Sequence, residues 1–260
     1  TEPTMFIELL RSAPEIVPAT VILDLPDEKY VINESDSLQT FQMSGEAGII
    51  PALRVYNSDS VNNIVAACKK AGFSDVLIVS DNRELLQLAR DSYSVIRTAL
   101  IADGSEGFTD AQDYREYVKG CDANILLLNG ELCSKELVSE IQALHVTVWA
   151  YNQTKDLNSV EAAWLISSGA NGIVTGDYAS VYDTMTEVYG ERTLTKTPSI
   201  IGHRGNPSQM PENSIEGYIT AVKNGATEVE TDIHLSKDGY VIVCHDGTLN
   251  RTTNYNESLS

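Results

Sequence analysis

From one end of this chain to the other, short β-branched apolar runs alternate with amphipathic stretches, the pattern of βα units laid around a parallel sheet. The runs ATVILDL (19–25), IIPALRV (49–55), DVLIVS (75–80), VIRTALIA (95–102), ANILLLN (123–129), VTVWAYN (146–152) and NGIVT (171–175) have the length and composition of buried strands. Between them, SVNNIVAACKKAG (60–72), RELLQLARD (83–91), KELVSEIQALH (135–145) and SVEAAWLISSG (159–169) predict helices. The first and last of these close with the glycine expected at a helix C-terminus. Seven such units predict an α/β fold, an eight-stranded (β/α) TIM barrel short of one strand.

A chain of 260 residues with 42% hydrophobic side chains has enough apolar material for one large barrel or two ordinary domains. Its net charge of −19 argues against a nucleic-acid partner, which would require clusters of Lys and Arg, and against an anionic membrane surface. No apolar run approaches the roughly 20 residues that cross a bilayer, so no transmembrane segment is expected. The first residues, TEPTMFIELL, lack the regions of a signal peptide. Because the first residue is Thr rather than Met, an excised or processed piece is expected, and the compartment stays open. Cys68, Cys121, Cys133 and Cys244 stand far apart without a CxxC pair, so buried free thiols are expected rather than a zinc site or a disulfide framework. The N-x-S/T triplets at Asn152, Asn250 and Asn256 carry no weight.

An internal repeat accounts for the missing strand. PTMFIELLRSAPEIVPATVILDL (3–25) aligns without gaps on PENSIEGYITAVKNGATEVETDI (211–233), 208 residues further on. Six positions are identical, Pro3/Pro211, Ile7/Ile215, Glu8/Glu216, Ala13/Ala221, Val21/Val229 and Asp24/Asp232, where chance would give roughly one or two. The match resumes at Tyr30-Val31-Ile32 against Tyr240-Val241-Ile242 and at Asp36 against Asp246. Residues 1–197 then form a barrel lacking its first strand, and residues 198–260 supply the opening strands and helix of the next. The barrel is thus permuted, or closed by the strand of the following repeat. Opposite Glu230 stands Ile22, opposite His245 stands Ser35, and a counterpart of His203 would precede Thr1. Of an acidic pair only Asp24 remains, so the first repeat reads as a fold kept without its chemistry.

The second repeat is equipped differently. Glu230 and Asp232 lie two apart in a strand-like run and would point to one face, with Thr231 turned away. Such a pair suits a hard divalent cation, Mg²⁺ or Ca²⁺, although two solvated acids on an edge strand would give the same spacing. His203 ends the run SIIG and His245 ends YVIVC, both where barrel strands open onto an active-site face, and imidazoles there suit proton transfer near neutral pH. His145 and His234 read as structural, His234 facing away from the site. Arg204, in an HRG turn bent at Gly205, suits phosphate recognition through a guanidinium fork. PENSIEGYITAVKNG reads as a helix entered through Pro211 and ended at Gly225. At its start Glu212 and Asn213 either contact the site or cap the helix, capping being the expectation for Asn213.

HRG, PENS, the E-x-D of ETDI, the KDG turn and the HD of VIVCHD with LNRTT together resemble the opening motifs of the glycerophosphodiester phosphodiesterase family, five ordered motifs within about 50 residues. Residues 52–190 resemble the later part of the same family more weakly, through DVLIVSDN, VTVWAYN and ANGIVTGDYAS. The resemblance implies a metal-dependent (β/α)8 barrel that hydrolyses a small-molecule glycerophosphodiester to glycerol phosphate and an alcohol. It implies His203 and His245 as acid and base, Glu230 and Asp232 as metal ligands and Arg204 as a phosphate contact. It also implies attack by the substrate's own glycerol hydroxyl on phosphorus to give a cyclic phosphate. The family's third metal carboxylate, in an E-x-K strand, has PALRVYN as its nearest counterpart here, with Leu53, Arg54 and Val55 where the acid should stand. The competing expectation is a non-catalytic barrel module of a larger tandem protein, with residues 199–203 supplying the missing strand and the remaining segment packing outside or exchanging with a neighbouring copy.

Overall fold

The computed structural model describes residues 18–24, 31–152, 156–190 and 199–253. Residues 3–17, Leu25, Tyr30, the junction at 191–198 and Asn256 lie outside the described residues. The chain divides into two compact units, Thr1–Lys196 and Thr197–Ser260.

In the first unit, β1 (Thr20–Leu23), β2 (Ile50–Arg54), β3 (Leu77–Ser80), β4 (Arg97–Ala102), β5 (Ile125–Asn129), β6 (Thr147–Asn152) and β7 (Gly172–Thr175) form one parallel sheet in sequential order. Parallel neighbours need crossover connections, and helices supply them. These are α1 (Glu34–Ala47), α2 (Ser58–Ala71), α3 (Arg83–Ser92), α4 (Ala111–Lys119), α5 (Lys135–Ala143) and α6 (Ser159–Ser167), with α7 (Tyr178–Thr184) after β7.

The sheet is apolar on both faces, which is what distinguishes a barrel wall from a half-exposed sheet. Toward the helices, Leu53, Ile78, Leu100, Leu126 and Val148 pack with Ile64, Leu86, Val138 and Ile141. On the opposite face Ala52, Leu77, Val79, Ala99, Ile101, Ile125, Leu127 and Tyr151 make a second cluster, with Ile22, Trp149 and Val174 packed against it. Strand alternation sends successive residues to the two clusters. Residues 22, 24, 52 and 54 share the parity of the inner cluster, which places Asp24 and Arg54 at its rim.

All seven predicted strands form, trimmed at their starts. Ile49, Val76, Ile96 and Val146 are buried but precede the paired residues. The helix predicted at 60–72 begins at Ser58 because the Asn57 side chain accepts from the Ser60 amide. The helix predicted to run to His145 ends at Ala143, since His145 adopts a left-handed φ of 60°. Asparagine, aspartate or serine caps every helix from α1 to α6 at its N-terminus. Among the described residues, β1 and β7 are the edges of the sheet. The run SIIGH forms β8 (Ile201–Gly202), paired in parallel with β9 (Glu228–Val229) within the second unit. All four cysteines are free and buried. No helix among the described residues is long and apolar enough to cross a membrane.

Candidate active site

The second unit is a βαβ element followed by a hairpin. β8 leads through the HRG turn to α8 (Ile215–Lys223) and back to β9, and β10 (Ile233–Leu235) pairs antiparallel with β11 (Val241–Val243). His245 therefore follows a hairpin strand, not the parallel barrel strand expected from YVIVC. The KDG turn, with Gly239 at φ 88° and its amide on the Ser236 carbonyl, reverses the chain. The Cys244 amide then bonds the Asp232 carbonyl, which brings the HD motif back beside the acidic motif.

Glycine makes the HRG turn possible. A Cβ on Gly205 (φ 87°) would lie 2.8 Å from the Gly217 carbonyl carbon, and one on Gly202 would lie 2.8 Å from the Ala221 Cβ. The turn thus rests directly on α8. Arg204 (φ 58°) and Asn213 (φ 55°) are both left-handed without being glycine, and the Asn213 amide bonds the Arg204 carbonyl at 2.9 Å. Such strained backbone persists only where surrounding contacts over-determine it, as at functional sites.

Arg204 connects the predicted groups. Its amide donates to Glu230 Oε2 at 3.0 Å, and its guanidinium lies 3.4 Å from both Asp232 Oδ2 and Glu212 Oε1. Glu230 and Asp232 lie between β9 and β10 rather than within one strand, yet both face Arg204. Thr231, expected to point away, shares hydrogen bonds with Tyr218 and Asn213. Asn213 donates to Asp232 Oδ2 at 3.2 Å and accepts from the Asp232 amide at 3.3 Å. It orients the acid, while the cap of α8 is Ser214, whose hydroxyl accepts from the Gly217 amide. The helix ends at Lys223, capped by Asn224 ahead of Gly225.

His203 and His245 are exposed, His203 directly after β8 and His245 one residue further on from the end of β11, past the buried Cys244. His245 Nδ1 lies 2.6 Å from Asp246 Oδ1, and Arg251 Nε donates to Asp246 Oδ2 at 2.6 Å. Arg251 also forms a two-pronged pair with Glu212 at 2.6 and 2.7 Å. Bonding to Arg251, then to His245, holds the Asp246 carboxyl down at about 2. Arg251 likewise lowers Glu212. Glu212, Asp246 and Arg251 received no firm role from sequence, although all three stand inside the PENS, HD and LNRTT motifs. His234, expected to face away, places Nε2 3.1 Å from the His245 carbonyl oxygen.

Among the described residues no group of three or more His, Cys, Asp and Glu side chains could hold a metal ion. The Glu230–Asp232 donor set is two carboxylates, too few for zinc but chemically suited to a Mg²⁺-like cation that keeps waters and takes substrate oxygens.

The corresponding rim of the first unit is closed to such chemistry. Asp24 accepts from Arg54 Nη1 at 3.0 Å and from the Tyr56 hydroxyl at 2.6 Å. Arg54 also lies 3.5 Å from Asp81 and its guanidinium sits 5.0 Å from the centre of the Tyr56 ring. Ile22 packs against the inner cluster, and Ser35 is exposed in the first turn of α1.

Residues 203–260 match the sequence model of the glycerophosphoryl diester phosphodiesterase family. Over 55 residues the chain is 46% identical to the glycerophosphodiester phosphodiesterase of Caldanaerobacter subterraneus subsp. tengcongensis, covering 21% of this chain and 23% of that one. Over 63 residues it is 43% identical to the human glycerophosphoinositol inositolphosphodiesterase, covering 24% and 12%. The chain thus spans less than a quarter of the length of these relatives. Two solved structures share the fold. One, from Galdieria sulphuraria and described as a glycerophosphodiester phosphodiesterase, matches with a TM-score of 0.51 at 13% identity, over 58% of this chain and 63% of that one. The other, from Silicibacter pomeroyi and described as a glycerophosphoryl diester phosphodiesterase, matches with a TM-score of 0.50 at 14% identity, over 59% and 56%.

Proposed function

We propose that the second unit, whose residues 203–260 match the sequence model of the glycerophosphoryl diester phosphodiesterase family, contributes the active site of a glycerophosphodiester phosphodiesterase. The observation that carries this reading is the convergence on Arg204, whose amide and guanidinium reach Glu230 and Asp232 of the E-x-D motif and Glu212 of the PENS motif.

His203 and His245 are the proton-transfer pair: one takes the proton of the substrate's glycerol hydroxyl as it attacks phosphorus, and the other returns a proton to the departing alcohol. Arg204 holds the phosphoryl group. Its Nε is buried without a hydrogen-bond partner, and its two ion pairs are long at 3.4 Å, so donor capacity remains for a phosphate oxygen. Glu230 and Asp232 would hold a divalent cation, Mg²⁺ or Ca²⁺, which when bound supplies positive charge to the phosphoryl oxygens. The first unit is a non-catalytic barrel relative, because Arg54 and Tyr56 occupy both oxygens of its one remaining acid.

The test is release of glycerol phosphate from glycerophosphocholine by the full-length protein in the presence of Mg²⁺ or Ca²⁺. Turnover that disappears in His203→Ala supports the reading. Turnover untouched by that substitution refutes it.

A further inference from the structure

Resting on that reading, we propose that Arg251 is a positioning residue for the reaction: through Asp246 it fixes the ring of His245, and through Glu212 it ties that histidine to the Arg204 turn.

The geometry forms one chain. Arg204 Nη1 meets Glu212 Oε1 at 3.4 Å, both Glu212 oxygens receive the Arg251 fork, Arg251 Nε meets Asp246, and Asp246 meets His245 Nδ1. An ionised carboxylate only accepts, so the Nδ1 facing Asp246 carries the proton. That fixes the neutral ring as its Nδ1–H tautomer and leaves Nε2 with its lone pair outward, where a substrate proton can be taken or returned. Asp246 performs this task only while it is ionised and aimed, and Arg251 secures both. A lysine at 251 would keep the charge but could not reach three oxygens in a planar fork.

Arg251 is itself held. The Thr253 amide and hydroxyl both donate to the Leu249 carbonyl, at 2.9 and 2.8 Å, closing a turn around it. One guanidinium therefore joins the loop after β11 to the entrance of α8, two segments 39 residues apart in sequence.

Two measurements on Arg251→Gln and Arg251→Lys test this. The ¹⁵N shifts of the His245 ring nitrogens, read at a pH where the ring is neutral, report its tautomer without need of turnover. They are expected to show Nδ1–H in the parent, a mixture in Arg251→Gln and an intermediate state in Arg251→Lys. Kinetics on glycerophosphocholine should then show kcat lowered about 10- to 100-fold in Arg251→Gln with KM little changed. Arg251→Gln should add no further loss in a His245→Ala background. Ring shifts unchanged by Arg251→Gln, or a loss that persists undiminished in His245→Ala, overturns the proposal. A parent that turns over no substrate but shows the tautomer shift overturns the phosphodiesterase reading and leaves the Arg251 arrangement standing.

Discussion

Replacing Arg54 by methionine should destabilise the first unit by an amount that can be worked from its contacts. The side chain is 22% exposed and lies 3.0 Å from Asp24 and 3.5 Å from Asp81, with its guanidinium on the Tyr56 ring. A hydrogen bond to a charged partner contributes about 1.5–3 kcal/mol, and the ring contact about 0.5–1 kcal/mol. Regained side-chain entropy and solvent reaching Asp24 and Asp81 offset part of this, for a net loss of about 2–3 kcal/mol. For a unit of this size the melting temperature should fall by about 4–12 °C. The chain's two tryptophans, Trp149 and Trp164, both lie in the first unit, so tryptophan fluorescence during urea unfolding follows that unit alone. Arg54→Met combined with Asp24→Leu should recover part of the loss, because an apolar pair leaves no unpaired acid at that position. The cycle should show a coupling of about 1 kcal/mol or more. An Arg54→Met loss under about 0.5 kcal/mol, or strict additivity, would refute the idea that this ion pair locks the rim.

Three further outcomes follow from the second unit. Ser214→Ala should cost about 1 kcal/mol of stability by removing the cap of α8 while leaving most turnover, whereas Asn213→Ala should lower kcat more than stability, because it frees Asp232. Chemical denaturation and initial-rate kinetics on both variants separate the two. Gly205→Ala should unfold the HRG turn, seen as loss of the α8 amide resonances, since its Cβ would lie 2.8 Å from backbone at a φ of 87°. Asp246, held at about 2 by Arg251 and His245, stabilises the fold above the ordinary carboxylate range near pH 4, and that contribution is lost as pH falls through about 2. A ¹³C titration of Asp246 should move up toward the ordinary range in Arg251→Gln, with the His245 contact still holding it below.

The barrel wall was legible because strand composition and helix punctuation agree at every unit: Asn57, Asn82 and Asn158 each stand where a cap is required, and Gly72 closes α2 in a left-handed turn. The candidate site was legible at the level of motifs, and His203, Arg204, Glu230, Asp232 and His245 all fall in the second unit. The partnerships were not. That β11 runs back along β10 depends on a turn at Gly239, and YVIVC reads alike in a parallel or an antiparallel ladder. Asn213 and Ser214 are both good caps, and only the left-handed φ of Asn213, set by the HRG turn beneath it, decides which one caps α8. Arg251 lies 39 residues from Glu212, a separation over which sequence spacing carries no geometric information. Conversely, Arg54 stands where the resemblance places an acid, and the structure gives its charge two partners, Asp24 and Asp81.

The most direct test of where the chemistry resides compares Asp24→Asn with His245→Ala in the full-length protein, measuring release of glycerol phosphate from glycerophosphocholine at saturating Mg²⁺ or Ca²⁺. The account predicts that kcat falls to a small residual rate in His245→Ala and is kept in Asp24→Asn. Turnover that survives His245→Ala undiminished, or that vanishes in a folded Asp24→Asn protein, would contradict it.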